Sequence, residues 1–243
     1  MSFTRASFTR ASFTHALFTR ALSTLVVVAV LAAGCGSTKK VDPAADLALA
    51  KASVLTAADV SGYKASPHTA SDDIPAAVKK SFAACMKTSQ TIFDDSPDAQ
   101  RADSPDFAKG EAEISGETTI YAKRGDVDDR WKQISKPAAA PCLAQLFEDG
   151  AKSGADASQP VTFGATSATQ FSPGVGSRSV GYAVKLTLTV SGETAVFYAE
   201  VVFAQRDRAA IDVEFVNVGN ALDRKLETSL VQKIYDRIGA KAS

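Results

Sequence analysis

Hydrophobic and polar positions change their period along this chain, and the changes predict its elements. From Ser179 to Val190 the alternation is strict: Val180, Tyr182, Val184, Leu186, Leu188 and Val190 fall on one side, with Lys185, Thr187 and Thr189 on the other. That is the period-two signature of a half-buried strand. Three stretches of strand length flank it, "VTFGATSATQF" (161–171), "TAVFYAEVVFA" (194–204) and "AAIDVEFVNV" (209–218). Ser191-Gly192-Glu193 and Gln205-Arg206-Asp207-Arg208 leave room only for short connections, so an antiparallel meander is predicted. The period then lengthens. Leu222, Leu226, Leu230, Ile234 and Ile238, backed by Val231, recur at i, i+4 and predict an amphipathic helix over 220–238.

Upstream the pattern breaks into shorter pieces. "AADLALAKASVL" is rich in helix formers, and "LTAADVSGY" reads as a turn into a short extended piece. In "IPAAVKKSFAACMKTSQTIFDD", Ala77, Val78, Phe82, Cys85 and Met86 recur at three- and four-residue spacing, with Lys79, Lys80 and Lys87 elsewhere, which predicts a helix. "DDSPDAQRADSPDF" mixes prolines and serines with acidic residues and reads as a surface loop. "GEAEISGETTIYAK" alternates like a strand or tight hairpin. "GDVDDRWKQISK" reads as a helix capped by Asp126, with Trp131 buried; Pro137 and Pro141 then break the chain before a helix in "CLAQLFEDGAK". "ISGETTIYA" (114–122) echoes "VSGETAVFYA" (190–199), a similarity expected of two β-turns. These parts predict an α+β fold: two layers, an antiparallel twisted sheet with helices packed on one face.

The first forty residues follow another rule. Repeats of the S-F-T-R-A type supply Arg5, Arg10 and Arg20 and no acid, and the apolar run Ala21–Gly34 covers 14 residues. A bilayer core needs about 20 apolar residues of helix. A basic start, a short apolar run and a small-residue exit describe a secretory signal. Its exit, Ala33-Gly34-Cys35, resembles the lipobox of bacterial lipoproteins. That resemblance implies a diacylglyceryl group on Cys35, cleavage before it, and attachment to the membrane through the lipid. An ordinary signal peptide cut nearby would instead leave Cys35 free. The expected organisation is a signal over 1–34, a tether over 35–46 and one domain over 47–240.

Charge excludes one class of partner. The 27 basic residues less the three signal arginines, 24, face 27 acidic ones, and no basic stripe appears, so no nucleic-acid binding is expected. With Cys35 acylated, Cys85 and Cys142 remain. Two cysteines in an exported chain pair most simply as a disulfide, against two buried thiols or half of a metal site. No C-x-x-C or histidine-rich partner favours a metal, and no cofactor motif is present.

Candidate chemistry is thin. His15 leaves with the signal, so His68 stands alone in "SPHTAS", near Asp72 and Asp73, and reads as a solvated loop histidine. Ser61-Gly62-Tyr63-Lys64 matches S-x-x-K, but Gly and Tyr favour a turn where that motif needs a helix start, and neither K-T-G nor S-D-N follows. The acidic loop 94–106 fails the calcium-loop test, with Ala99 where Gly is needed and Pro105 at position twelve. "SPGVGSRSVG" fits no phosphate- or nucleophile-holding glycine motif and reads as a link between strands. No catalytic residue is nominated. Amphipathic faces look alike whether they close a packed core or a lipid pocket.

The lipobox, "LTAADVSGY", the helix around Cys85, "DVDDRWKQISKPAAAPCLAQLF" and "FYAEVVFAQRDRAAIDVEFVNVGNALDRKLETSLVQKIYDRI" together resemble a group of actinobacterial lipoproteins. More distantly, they resemble the extracellular sensor domain of a mycobacterial Ser/Thr kinase. The resemblance implies an exported, non-catalytic binding or sensing module and leaves its ligand open, with an envelope lipid, a peptide or a protein as the candidates. A carrier of an apolar envelope lipid is the alternative, and an enzyme a distant one.

Overall fold

A computed structural model describes residues 41–68, 75–89, 96–154, 161–190 and 192–242. The signal, Cys35, Asp72, Asp73 and Asp94 lie outside these residues. In chain order the elements are α1 (Pro43–Ser53), β1 (Lys64–Ser66), α2 (Ala76–Met86), β2 (Gln100–Asp103), β3 (Asp106–Lys109), β4 (Ala112–Ile120), α3 (Arg124–Ile134), α4 (Ala139–Gly154), β5 (Val161–Phe171), β6 (Ser179–Val190), β7 (Glu193–Arg206), β8 (Ala209–Val218) and α5 (Arg224–Ala242). The strands form one antiparallel sheet in the order β1-β3-β4-β8-β7-β6-β5, with β2 also beside β4. The α+β class, the antiparallel sheet and its meander follow the expectation, and β5, β6 and β8 occupy the residues that the alternation marked.

The central strand β7 explains where the helices go. Ala199, Glu200, Val201 and Val202 are all buried, so both faces of this strand are covered, as a near-continuous apolar run requires. Val202 and Ala204 point to the side where Leu230, Val231, Ile234 and Ile238 of α5, with Ala50 of α1, complete a core. Ala199 and Val201 point to the other side, into a second core with Val180, Tyr182 and Val184 of β6 and with Leu143, Leu146 and Phe147 of α4. The expected two layers hold within each half of the sheet. Across the whole sheet, the helical layer changes face: α1 and α5 cover the β4–β8 half on one side, and α2 and α4 cover the β5–β6 half on the other.

Two cross-links hold the second core. Cys85 of α2 and Cys142 of α4 form a disulfide, with Cα atoms 5.6 Å apart across a sequence separation of 57. Tyr182, fully buried, donates its hydroxyl hydrogen to the Ile134 carbonyl at the end of α3, which gives a polar atom in an apolar site the partner it needs. On the far side of the sheet, the Phe171 ring lies over its cross-strand partner Gly181, where a Cβ would sit 2.0 Å from the ring.

Several local readings change. The stretch read as an acidic loop holds β2 and β3, because Ala102 and Phe107 face the α5-side core while their polar neighbours face away. "GEAEISGETTIYAK" contains a single strand. Its S-G-E-T tetrapeptide runs straight through the middle of β4, paired with β8, whereas in the echo Gly192 takes φ 86° in the β6–β7 turn. Pairing decides between turn and strand for the same four residues. Lys123, not Asp126, precedes α3, and no side chain caps it. Trp131 is half-buried against the second core. Pro141 lies in the first turn of α4, where no backbone donor is needed. Ala77 is exposed, and Ala83 takes a buried place on α2. Finally, α1 starts inside the stretch read as tether: Asp42 caps it through the Ala44 and Ala45 amides, and buried Asp46 accepts 2.7 and 2.9 Å bonds from Arg208.

Candidate functional site

Because the helical layer changes face, the β4–β8 half is left with a polar side. Strand alternation puts Glu113, Ser115, Glu117 and Thr119 of β4 beside Val216, Glu214, Asp212 and Ala210 of β8 on this face. The outer strands add Arg101 and Asp103 from β2, Asp106 from β3 and Ser66 from β1, all by register. Among the described residues no helix packs along β4 on this side. Helical cover reaches only one end, where α3 sends Arg130 to Asp212 and to the Tyr121 hydroxyl.

Most charges on this surface are paired. Arg101 bridges Asp103 at 2.7 Å and Glu117 at 3.0 Å. From α3, Asp128 accepts at 2.7 Å from the buried Gln205 amide and also from Arg178; these two bonds hold its carboxyl below the ordinary range. His68 Nδ1 lies 2.7 Å from Asp106 Oδ1, with only 19% of the histidine side chain exposed. The expected solvated histidine is therefore half-buried and ion-paired, since the turn after β1 brings it to the start of β3. The bond to Asp106 raises the His68 pKa above its ordinary value, overcoming the effect of burial. Its Nε2 is buried and has no hydrogen-bond partner.

Among the described residues Glu113 has no such partner, and neither has Glu214. Glu214 stands in the middle of the face, directly across from Ser115 on β4 and Val201 on β7. Burial pushes its carboxyl up to about 8, with the negative charges of Glu113 and Asp106 adding to the effect. Near neutral pH this carboxyl is largely protonated and is able to donate a hydrogen bond, beside two carboxylates that accept them. The face thus presents donors and acceptors fixed on paired strands, with His68 Nε2 at its margin.

The nominated residues are not all here. Of them, His68, the acids 103 and 106 of the former loop and, by register, Lys64 come to this face. Cys85 and Cys142 lie in the other half, and Ser61 with Lys64 sits at a turn where Gly62 takes φ 81°, away from any helix start. Glu113, Ser115 and Glu214 were not singled out: each is the polar member of an alternating pair, and alternation reports a polar side without saying that one is crowded. Among the described residues no group of three His, Cys, Asp or Glu side chains is arranged to hold a metal ion. Among the same residues no helix is long and apolar enough to cross a membrane.

No protein-family model matches the sequence, and no curated protein does. Among solved structures, the extracellular domain of PknH from Mycobacterium tuberculosis is similar at 10% identity and a TM-score of 0.29. The match covers 56% of this chain and 62% of that one, less than two thirds of the PknH domain. A likeness this slight leaves the reading of function to the residues themselves.

Proposed function

We propose that this chain is a lipoprotein held by Cys35 at the extracytoplasmic face of the cell membrane, and that its folded part is a non-catalytic module that binds an envelope ligand on the polar face of β4 and β8. One observation carries the binding site: Glu214, kept neutral by burial beside Glu113 and Asp106, in the half of the sheet where the helical layer lies on the opposite side. The raised Glu214 carboxyl marks a charge that folding disfavours at this place. A ligand that brings a cationic or hydrogen-bonding group, such as a basic peptide, relieves that cost. His68 lacks the nucleophile contact that a hydrolase needs, since its Nε2 has no partner.

The anchor rests on Ala33-Gly34-Cys35 at the end of an apolar run too short to span a bilayer. Two acyl chains hold a protein stably where one holds it marginally. Expressed in its own cells, the wild-type chain should sediment with membranes and partition into detergent. Cys35→Ala should be released or keep its signal. Membrane retention of Cys35→Ala with processing at residue 35 would overturn the anchor.

A further inference from the structure

Beneath the first turns of α5 lies a charged group that the polar face does not use. Glu227 is fully buried and Glu200, from β7, is 4% exposed. Both carboxyl groups reach the guanidinium of Arg224. Arg224, one turn before Glu227, donates to Glu200 Oε1 at 2.7 Å, and its Nη1 stands 3.4 Å from Glu227 Oε2. Its guanidinium lies over the Phe171 ring, 3.3 Å from the centroid, which fixes it from the β5 side. Glu200 Oε2 and both Glu227 oxygens are buried and have no hydrogen-bond partner.

One guanidinium balances only one of the two carboxylates, and a second buried anion without a hydrogen-bond partner is costly. We propose that Glu200, Glu227 and Arg224 form a one-proton latch: Glu227 carries the proton, Arg224 balances the Glu200 charge, and loss of the proton releases the start of α5 from β7. The trio is then neutral, as burial demands. The direct Arg224 bond to Glu200 makes that carboxylate the anion and leaves Glu227 as the acid.

The surroundings leave the proton nowhere else to go. From α5 the charged neighbours of Glu227 are Arg224 and Asp223, and from β7 only Glu200. Across the sheet, Ala183 of β6 and Phe215 of β8 flank Glu200. The α1 helix packs on α5, but its Asp46 is bound to Arg208. Burial first, then the neighbouring Glu200 carboxylate, pushes the Glu227 carboxyl up to about 9. A carboxyl whose pKa is raised by folding stabilises the fold fully below its unfolded value, and that contribution is lost as pH rises through the folded value. The latch therefore holds in acid and at neutrality and opens in alkali.

The test is infrared spectroscopy of the full-length chain at neutral pH, read as the carbonyl band of protonated carboxylic acids, in a Glu214→Gln background that removes the other raised carboxyl. One protonated equivalent is expected, and either Glu200→Gln or Glu227→Gln alone should abolish it, because the remaining carboxylate then pairs with Arg224. Two equivalents, none, or a band surviving in either variant would overturn the latch. Hydrogen exchange gives a second readout. From pH 7 to 10, amides at 224–230 should lose at least tenfold more protection than those at 234–238 in wild type, and equally in Glu227→Gln. Equal loss along α5 in wild type would contradict the proposal.

Discussion

Leu230→Ala tests the core that fastens α5 to the sheet. Leu230 is fully buried among Val202, Ile211, Val213 and Ile234, so truncation removes three buried carbons and leaves a cavity walled by strand residues that cannot readily close in. Such changes cost about 2–5 kcal/mol. For a domain near 200 residues each kcal/mol moves the melting midpoint by roughly 2–4 °C, so a fall of roughly 4–20 °C is expected. Calorimetry of the disulfide-intact protein at neutral pH measures it, with Ser229→Ala as an exposed neighbour that should move the midpoint by no more than about 2 °C. Leu230→Asp goes further. An unpaired carboxylate at that site costs several kcal/mol or forces a large rise in its own pKa, and cooperative unfolding should disappear. A midpoint for Leu230→Ala within about 1 °C of wild type would mean that the stripe does not pack on β7 and β8, and the assignment of α5 to this face would fail.

Reducing Cys85–Cys142 should remove about 4 kcal/mol on the chain-entropy account of a 57-residue loop; a thiol assay of the oxidised, denatured chain that counts both cysteines free would contradict the pairing. Asp59, which bonds Arg237 at 2.6 Å and the Thr56 amide at 2.8 Å, ties α5 to the turn after α1. Burial works to raise its carboxyl, but these bonds outweigh it and hold the carboxyl low. Its contribution is therefore present above the ordinary carboxylate range and lost as pH falls through the lowered value. Asp59→Asn should cost about 1–3 kcal/mol at pH 7 and less toward pH 3; a cost that is the same at both, in paired denaturant titrations, would refute the ion pair.

The sheet half of this fold was legible because its signals are local. Alternation from Val180 to Val190 and short connections on either side fix β6, β7 and β8 without reference to anything distant. β2 was hidden for the same reason in reverse: of Gln100, Arg101, Ala102 and Asp103, only Ala102 is buried, so four residues of strand look like loop until β4 pairs with them. The change of helical layer from one face to the other had a trace in the run Ala199–Val202, where alternation lapses, but a lapse does not say which helix covers which side. Charge networks left no trace at all. His68 and Asp106 are 38 residues apart, and Arg224 and Glu200 are 24 apart; each pair is made by strand register or helix docking. Capping of α3 failed because Asp126 already lies within the helix, in its first turn.

The central claim is that the polar face of β4 and β8 holds a ligand. Native mass spectrometry of the full-length protein, gently extracted from its own envelope, measures this most directly. The account predicts a species heavier than the acylated chain by one defined mass, reduced at least tenfold when Glu113→Gln and Glu214→Gln are introduced together and unaffected by Lys185→Gln on the opposite face. A spectrum with only the acylated chain, or a bound mass indifferent to the two glutamines, would contradict it.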